Sequence, residues 1–114
     1  MKSKLTIDQN GTKEWKLPSG DFHKEDGPTL EYISGTKLWW INGKRHREDG
    51  PAIEYISGNK RWYINGVLHR EDGPAIEYND GSKYWYLKGI LYSEELFISE
   101  IRSIKLKQLL RSLN

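Results

Sequence analysis

A mainly β fold, a single-layer antiparallel sheet of hairpin repeats closed by a C-terminal helix, is predicted by three observations. One 23-residue segment is written three times without spacers: His23 to Arg45, His46 to Leu68 and His69 to Leu91. Each copy holds two short runs of alternating apolar and polar residues separated by Gly and Asn turn chemistry. After Tyr92 the residues become helix formers, with no Gly or Pro. A fixed period of this length implies stacked copies of one supersecondary unit.

Taken in order, residues 1–22 read as a worn half-copy. Gly11-Thr12-Lys13-Glu14-Trp15-Lys16-Leu17 matches Gly35-Thr36-Lys37-Leu38-Trp39-Trp40-Ile41, and terminal repeats are expected to be atypical. The hairpin array therefore spans 1–92 (half-repeat 1–22, then 23–45, 46–68 and 69–91), and 93–114 is the helical segment. Within a copy, Ala52 to Ile56 and Arg61 to Ile64 are expected as strands of about five residues. Ser57-Gly58-Asn59-Lys60 is the expected tight turn between them. A longer return opens at Asn65-Gly66 and closes at Asp72-Gly73-Pro74, where the proline's missing amide falls outside the ladder.

Aligning the copies gives columns. Trp15, Trp39, Trp62 and Trp85 recur, as do Leu30, Ile53 and Ile76, and Tyr32, Tyr55 and Tyr78; these are expected on one buried face. Equivalent positions lie two strands apart, roughly 9 to 10 Å. The opposite face is expected to carry Glu31, Glu54 and Glu77, then Trp40, Tyr63 and Tyr86, then Leu38, Arg61 and Tyr84. Like charges at that spacing repel by only about 0.4 kcal/mol in water, so the Glu column is tolerable. This face is either a solvated β surface or a partner-binding surface, since binding hot spots favour Trp, Tyr and Arg.

Ser93 with Glu94 and Glu95 forms a helix start, an N-cap followed by acids in the first turn. Phe97, Ile101 and Ile104 share one helical face, whereas Leu106, Leu109, Leu110 and Leu113 share another. The helix therefore breaks near Ser103 to Lys105, or its halves pack on different things. An open sheet needs its apolar face covered, so the helix is read as a cap, with a partner or self-association face as the alternative use of the leucines.

His23, His46 and His69 recur with an acidic pair two and three residues later, and with Lys24, Arg47 and Arg70 beside them. Three chemistries suit this loop edge, including His46, Arg47, Glu48, His69, Arg70 and Glu71: turn structure, a ligand or partner ladder, and a metal site. An active site is built once from residues in different roles, so threefold repetition points to turn structure, and no metal or cofactor is expected. No nucleophile triad or phosphate-cradling loop stands out, and no enzyme is expected.

The chain has 18 Lys and Arg against 16 Asp and Glu, a net charge of +2 and no cysteine. Near-neutrality argues against a dedicated nucleic-acid binder, and acid columns interleaved with Lys and Arg weaken nucleic-acid mimicry. The absence of cysteine leans towards a reducing compartment, and no apolar run suits a signal peptide or a bilayer span. A soluble, cytoplasmic protein is expected, in a host cell if the chain is viral.

The run Trp62-Tyr63-Ile64-Asn65-Gly66-Val67-Leu68-His69-Arg70-Glu71-Asp72-Gly73 resembles a MORN repeat, in the variant form carrying His-Arg-Glu-Asp-Gly-Pro-Ala. That form resembles small proteins of bacteriophages and giant viruses, which also follow the last copy with a Tyr-Ser-Glu-Glu segment, as Tyr92 to Glu95 does here. The likeness covers about residues 11–95. It departs from ordinary MORN repeats in the Glu-Asp-Gly-Pro insertion, in Lys24 for Arg, and in Leu87-Lys88-Gly89 for Ile-Asn-Gly. The resemblance implies an elongated twisted sheet of hairpins serving protein interaction, in some cases with acidic-lipid contacts. With it, the expected function is a non-enzymatic protein-binding module, a phage-type inhibitor occluding a host defence nuclease or CRISPR complex. The alternatives are a small-ligand, nucleotide or acidic-lipid headgroup binder, with membrane-surface contact not favoured, and a self-assembling structural protein.

Overall fold

The structure, a computed structural model, describes residues 2–113; Met1 and Asn114, the outer ends of the segments read from the sequence, lie outside the described residues. The chain is mainly β, an antiparallel sheet of hairpins followed by one C-terminal helix, in a slab of 51 × 39 × 18 Å. The strands are β1 (Lys4–Ile7), β2 (Lys13–Lys16), β3 (Leu30–Glu31), β4 (Lys37–Leu38), β5 (Trp40–Ile41), β6 (Lys44–Arg45) and β7 (Ile53–Glu54). They continue with β8 (Lys60–Arg61), β9 (Tyr63–Ile64), β10 (Val67–Leu68), β11 (Ile76–Glu77), β12 (Lys83–Leu87) and β13 (Ile90–Tyr92). Nine of them form one sheet in the order β1-β2-β3-β4-β7-β8-β11-β12-β13, while β5–β6 and β9–β10 stand as separate two-stranded hairpins.

Most strands are two residues long, not five, because the turns take more chain than the Gly-Asn signal suggests. Tyr55 donates its N–H to the Asn59 carbonyl, and Gly58 donates to the Tyr55 carbonyl. Gly58 has φ +98°. This is a three-residue hairpin loop, a type I turn closed by a left-handed glycine. Asp8 to Thr12, Tyr32 to Thr36 and Tyr78 to Ser82 make the same two bonds. Tyr55 and Ile56 therefore belong to the turn, and Ser57 to Lys60 does not form it alone.

The expected long return is also a hairpin. Asn42-Gly43, Asn65-Gly66 and Lys88-Gly89 all have positive φ at both positions, the type I′ geometry that matches the twist of flanking strands. Asn tolerates that region better than Lys, whose side chain strains it. Lys88→Asn is therefore expected to stabilise the protein by about 1 kcal/mol, seen as a higher urea midpoint at unchanged slope.

Register corrects the faces. Directly opposed residues on paired strands point to the same side. Leu30, Leu38, Ile53, Arg61, Ile76 and Tyr84 follow one another across the sheet as opposed residues. Leu38, Arg61 and Tyr84 thus share the side of the isoleucines and not the side of the glutamates. The other row reads Lys13, Glu31, Lys37, Glu54, Lys60, Glu77, Lys83. Every Glu of the expected acidic column has a Lys opposite it on each flank, worth about 0.2–1 kcal/mol per pair. The three-residue loop sets this pairing, and hydropathy alone had suggested the other parity.

The core lies within this one layer. Leu30, Ile53 and Ile76 are buried, Ala52 and Ala75 have no exposed surface, and Ala52, Ile53 and Tyr63 cluster with Leu38, Trp39 and Leu68 around them. Tyr63, expected outside, is a core residue at 8 % exposure. Tyr32 and Tyr55, expected inside, are exposed, because they begin the turns.

The helix α1 (Glu94–Ser112) runs unbroken through Ser103 to Lys105. Ser93 Oγ accepts the Leu96 N–H at 3.2 Å as N-cap. Phe97 and Ile101 are buried with Leu87, and Trp85, Tyr92 and Ile104 pack around them. The leucines of the second half, Leu106, Leu109, Leu110 and Leu113, face outward and are exposed. Of the two expectations, the break is not observed, and the halves do not pack on different things either, since the leucine face is exposed. It is not long and apolar enough to cross a membrane.

Candidate functional site

The repeated loop is built around its arginine. Arg47 donates from Nε to Asp49 at 3.0 Å, and from Nη1 to the Pro51 carbonyl and to Glu54, both at 3.1 Å. Its guanidinium carbon lies 3.9 Å from the centroid of the Trp39 ring. Arg70 repeats this with Asp72 at 2.8 Å, the Pro74 carbonyl and Glu77 at 3.0 Å, and Trp62 at 3.9 Å. The planar fork of Arg suits several acceptors at once while its face stacks on an aromatic ring. Lys24 covers Trp15 at 4.1 Å but, as a point charge, shows none of the fork's hydrogen bonds.

Two residue sets that the sequence placed apart are thus joined. The Trp column and the Glu column lie on one side of the sheet, bridged by the loop arginines. Trp85 has no following copy to cover it, and α1 packs there instead. Glycine leaves room for the fork: a Cβ on Gly50 would stand 2.9 Å from Arg47 Cζ, and one on Gly73 2.8 Å from Arg70 Cζ, so the guanidinium would have to shift. The Arg70 hydrogen bond and charge hold the Asp72 carboxyl below the usual carboxylate range.

The histidines are turn parts. Nδ1 of His23, His46 and His69 accepts the backbone N–H of Asn42, Asn65 and Lys88 at 3.0, 3.0 and 2.9 Å. An accepting Nδ1 carries no proton, so Nε2 holds it and faces Glu25, Glu48 and Glu71 at 3.6, 3.6 and 3.1 Å. Each ring thereby locks the left-handed residue of the next type I′ turn. Among the described residues no three His, Asp or Glu side chains are grouped as metal donors. Between successive loops lie open grooves of about 590 and 670 Å³, floored by Trp62 and Ile64, and by Trp39 and Ile41.

The other side of the sheet carries the aromatic candidates. Trp40, Tyr86 and Arg61 are half-buried and Tyr84 is exposed. Tyr78 meets Tyr84 edge to face at 5.8 Å, and Arg61 donates to the Tyr78 hydroxyl at 3.3 Å. Arg45, which column reading passed over, stacks between Trp40 at 5.5 Å and Tyr63 at 5.4 Å. Phe22 packs on Trp40 at 5.5 Å. Burial opposes the charge of Arg61, but the neighbouring Tyr63, Tyr78 and Tyr55 hold its pKa above the ordinary value. The structure brings together Trp40, Arg61, Tyr84 and Tyr86 on this side, removes Tyr63 to the core and sends Glu31, Glu54 and Glu77 to the opposite side. The signal that would have found Arg45 is its place opposite Trp40 across an Asn-Gly hairpin.

Comparison with family models, with curated proteins and with solved structures returned no match for this chain.

Proposed function

We propose that the chain is a non-enzymatic protein-binding module built from MORN-like 23-residue repeats, acting by occlusion of a surface on another protein. The target class is the one read from the sequence, a host defence nuclease or CRISPR complex, met in the host cytoplasm. One observation carries the reading: a sheet face that carries exposed Tyr84 beside half-buried Trp40, Tyr86 and Arg61, the residue types that dominate binding hot spots. Rigid aromatic rings lose little conformational entropy on binding, which favours affinity. Arg47 and Arg70 each already hold two carboxylates and a carbonyl, which weighs against a headgroup or nucleotide site at the loop edge. The outward leucines of α1 leave association of copies through the helix with a surface to use.

The test is capture from extract of the native host. Wild-type protein is expected to retain one protein in stoichiometric amount. Joint Trp40→Ala and Tyr84→Ala should lower that affinity about thirtyfold, the effect of losing one hot spot of about 2 kcal/mol. The loop-edge pair Glu48→Gln and Glu71→Gln should leave it within twofold. Recovery of no stoichiometric partner, or equal loss from both variants, would overturn the reading.

A further inference from the structure

The two sides of the sheet treat their cations differently. On the loop side Arg47 and Arg70 each pair with an Asp and a Glu, and the Lys row alternates with glutamates. On the aromatic side, no carboxylate among the described residues pairs with Arg45 or Arg61. Their stems and faces lie against Trp40, Tyr63 and Tyr78. Three buried side-chain donors there have no acceptor: Trp40 Nε1, Arg45 Nε and Arg61 Nε. Sequestered donors without acceptors are unusual, and here all three belong to one face.

We propose that this face docks an acidic segment of the partner protein, whose carboxylates meet Arg45 and Arg61 while Trp40, Tyr84 and Tyr86 supply apolar contact. This rests on the protein-binding reading above and names its partner's chemistry. Charge complementarity selects the occupant: the face offers unpaired guanidiniums, and Arg receives carboxylates in a planar, directional way. A nucleic-acid strand is disfavoured because its affinity comes from many phosphates neutralised together. Beyond these two arginines, the cation over a ring of this face among the described residues is Lys16, which sits over Phe22 and is already paired with Glu14 at 3.3 Å. A basic partner segment would place like charges together.

The experiment is a titration of the full ¹⁵N-labelled chain with a hexaglutamate peptide, with hexalysine and dodecathymidine as parallel probes. Hexaglutamate is expected to shift the Arg45 and Arg61 Nε–H signals and the Trp40 indole signal. The Arg47 and Arg70 Nε–H and the Trp39 and Trp62 indole signals should stay in place. Arg61→Gln, checked for a wild-type melting curve, should weaken binding about tenfold, the effect of one charge-assisted hydrogen bond. No shift at Arg45, Arg61 and Trp40, or a stronger shift there from dodecathymidine or hexalysine, overturns the proposal in the unmutated protein. Undiminished retention of a captured partner by the Arg45→Gln, Arg61→Gln variant would sink this assignment while leaving the protein-binding reading intact.

Discussion

Gly73→Ala is expected to lower stability by about 1 kcal/mol, although the same substitution at an unobstructed site would be neutral or favourable. The added Cβ would stand 2.8 Å from Arg70 Cζ, so the guanidinium must shift, which loosens its stacking on Trp62 and its bonds to Asp72, the Pro74 carbonyl and Glu77. Charge-assisted hydrogen bonds contribute about 1.5–3 kcal/mol each when sheltered. Discounting is needed because Asp72 is 86 % exposed and Glu77 34 % exposed at their side chains. The structure supplies its own control. At Gly27 the nearest atoms to an added Cβ are Lys24 Cε and Nζ, both at 3.7 Å, so Gly27→Ala should cost nothing. Urea unfolding followed by tryptophan fluorescence distinguishes the two, and equal effects at Gly27 and Gly73 would refute the steric account.

Phe97→Ala is expected to release the helix from the sheet. Phe97 is 6 % exposed against Leu87 and Ile101, and deleting a buried phenyl ring costs about 3–5 kcal/mol. A 19-residue helix without tertiary contacts is marginal in water, and the outward leucines add nothing to its docking. Amide exchange should therefore accelerate throughout Glu94–Ser112 while the amides of β7 and β8 remain protected. Loss of protection in both together would show that the helix is integral to the sheet and does not merely cover its last hairpin.

How much of this was legible in the sequence divides along a physical line. Local chemistry read correctly in part: Ser93 caps the helix and alternating runs hold the strands, whereas Asn65-Gly66, expected to open a long return, closes a two-residue hairpin. The faces did not, because a side chain's direction depends on register, and register is fixed by a turn whose boundaries lie outside the glycine that advertises it. Tyr63 looked like a surface aromatic and is core; Glu54 and Glu77 looked displayed and are spoken for by Arg47 and Arg70. The arginines' inward role had one sequence signal, a glycine three residues later in a chain position that needs no positive φ. Its reason is a contact from seven residues of folded loop, which no periodicity records. Trp40, Arg61, Tyr84 and Tyr86 were identified as candidates from residue type alone, and Arg45 was missed because its column, Phe22, Arg45, Leu68 and Leu91, mixes chemistries.

The alternating Lys and Glu row has a kinetic side. Glu31, Glu54 and Glu77 are interchangeable as partners for Lys37, Lys60 and Lys83, so a strand that pairs one whole copy out of place meets the same charges and the same turn. Cross-strand pairing therefore rewards a misthreaded array almost as well as the native one. What distinguishes them is the ends: β1 pairs only with β2 at one margin, and α1 packs on Leu87 and Trp85 at the other. Faithful assembly of so repetitive a chain is decided at its margins, and truncating either end should slow refolding far more than its few contacts would suggest.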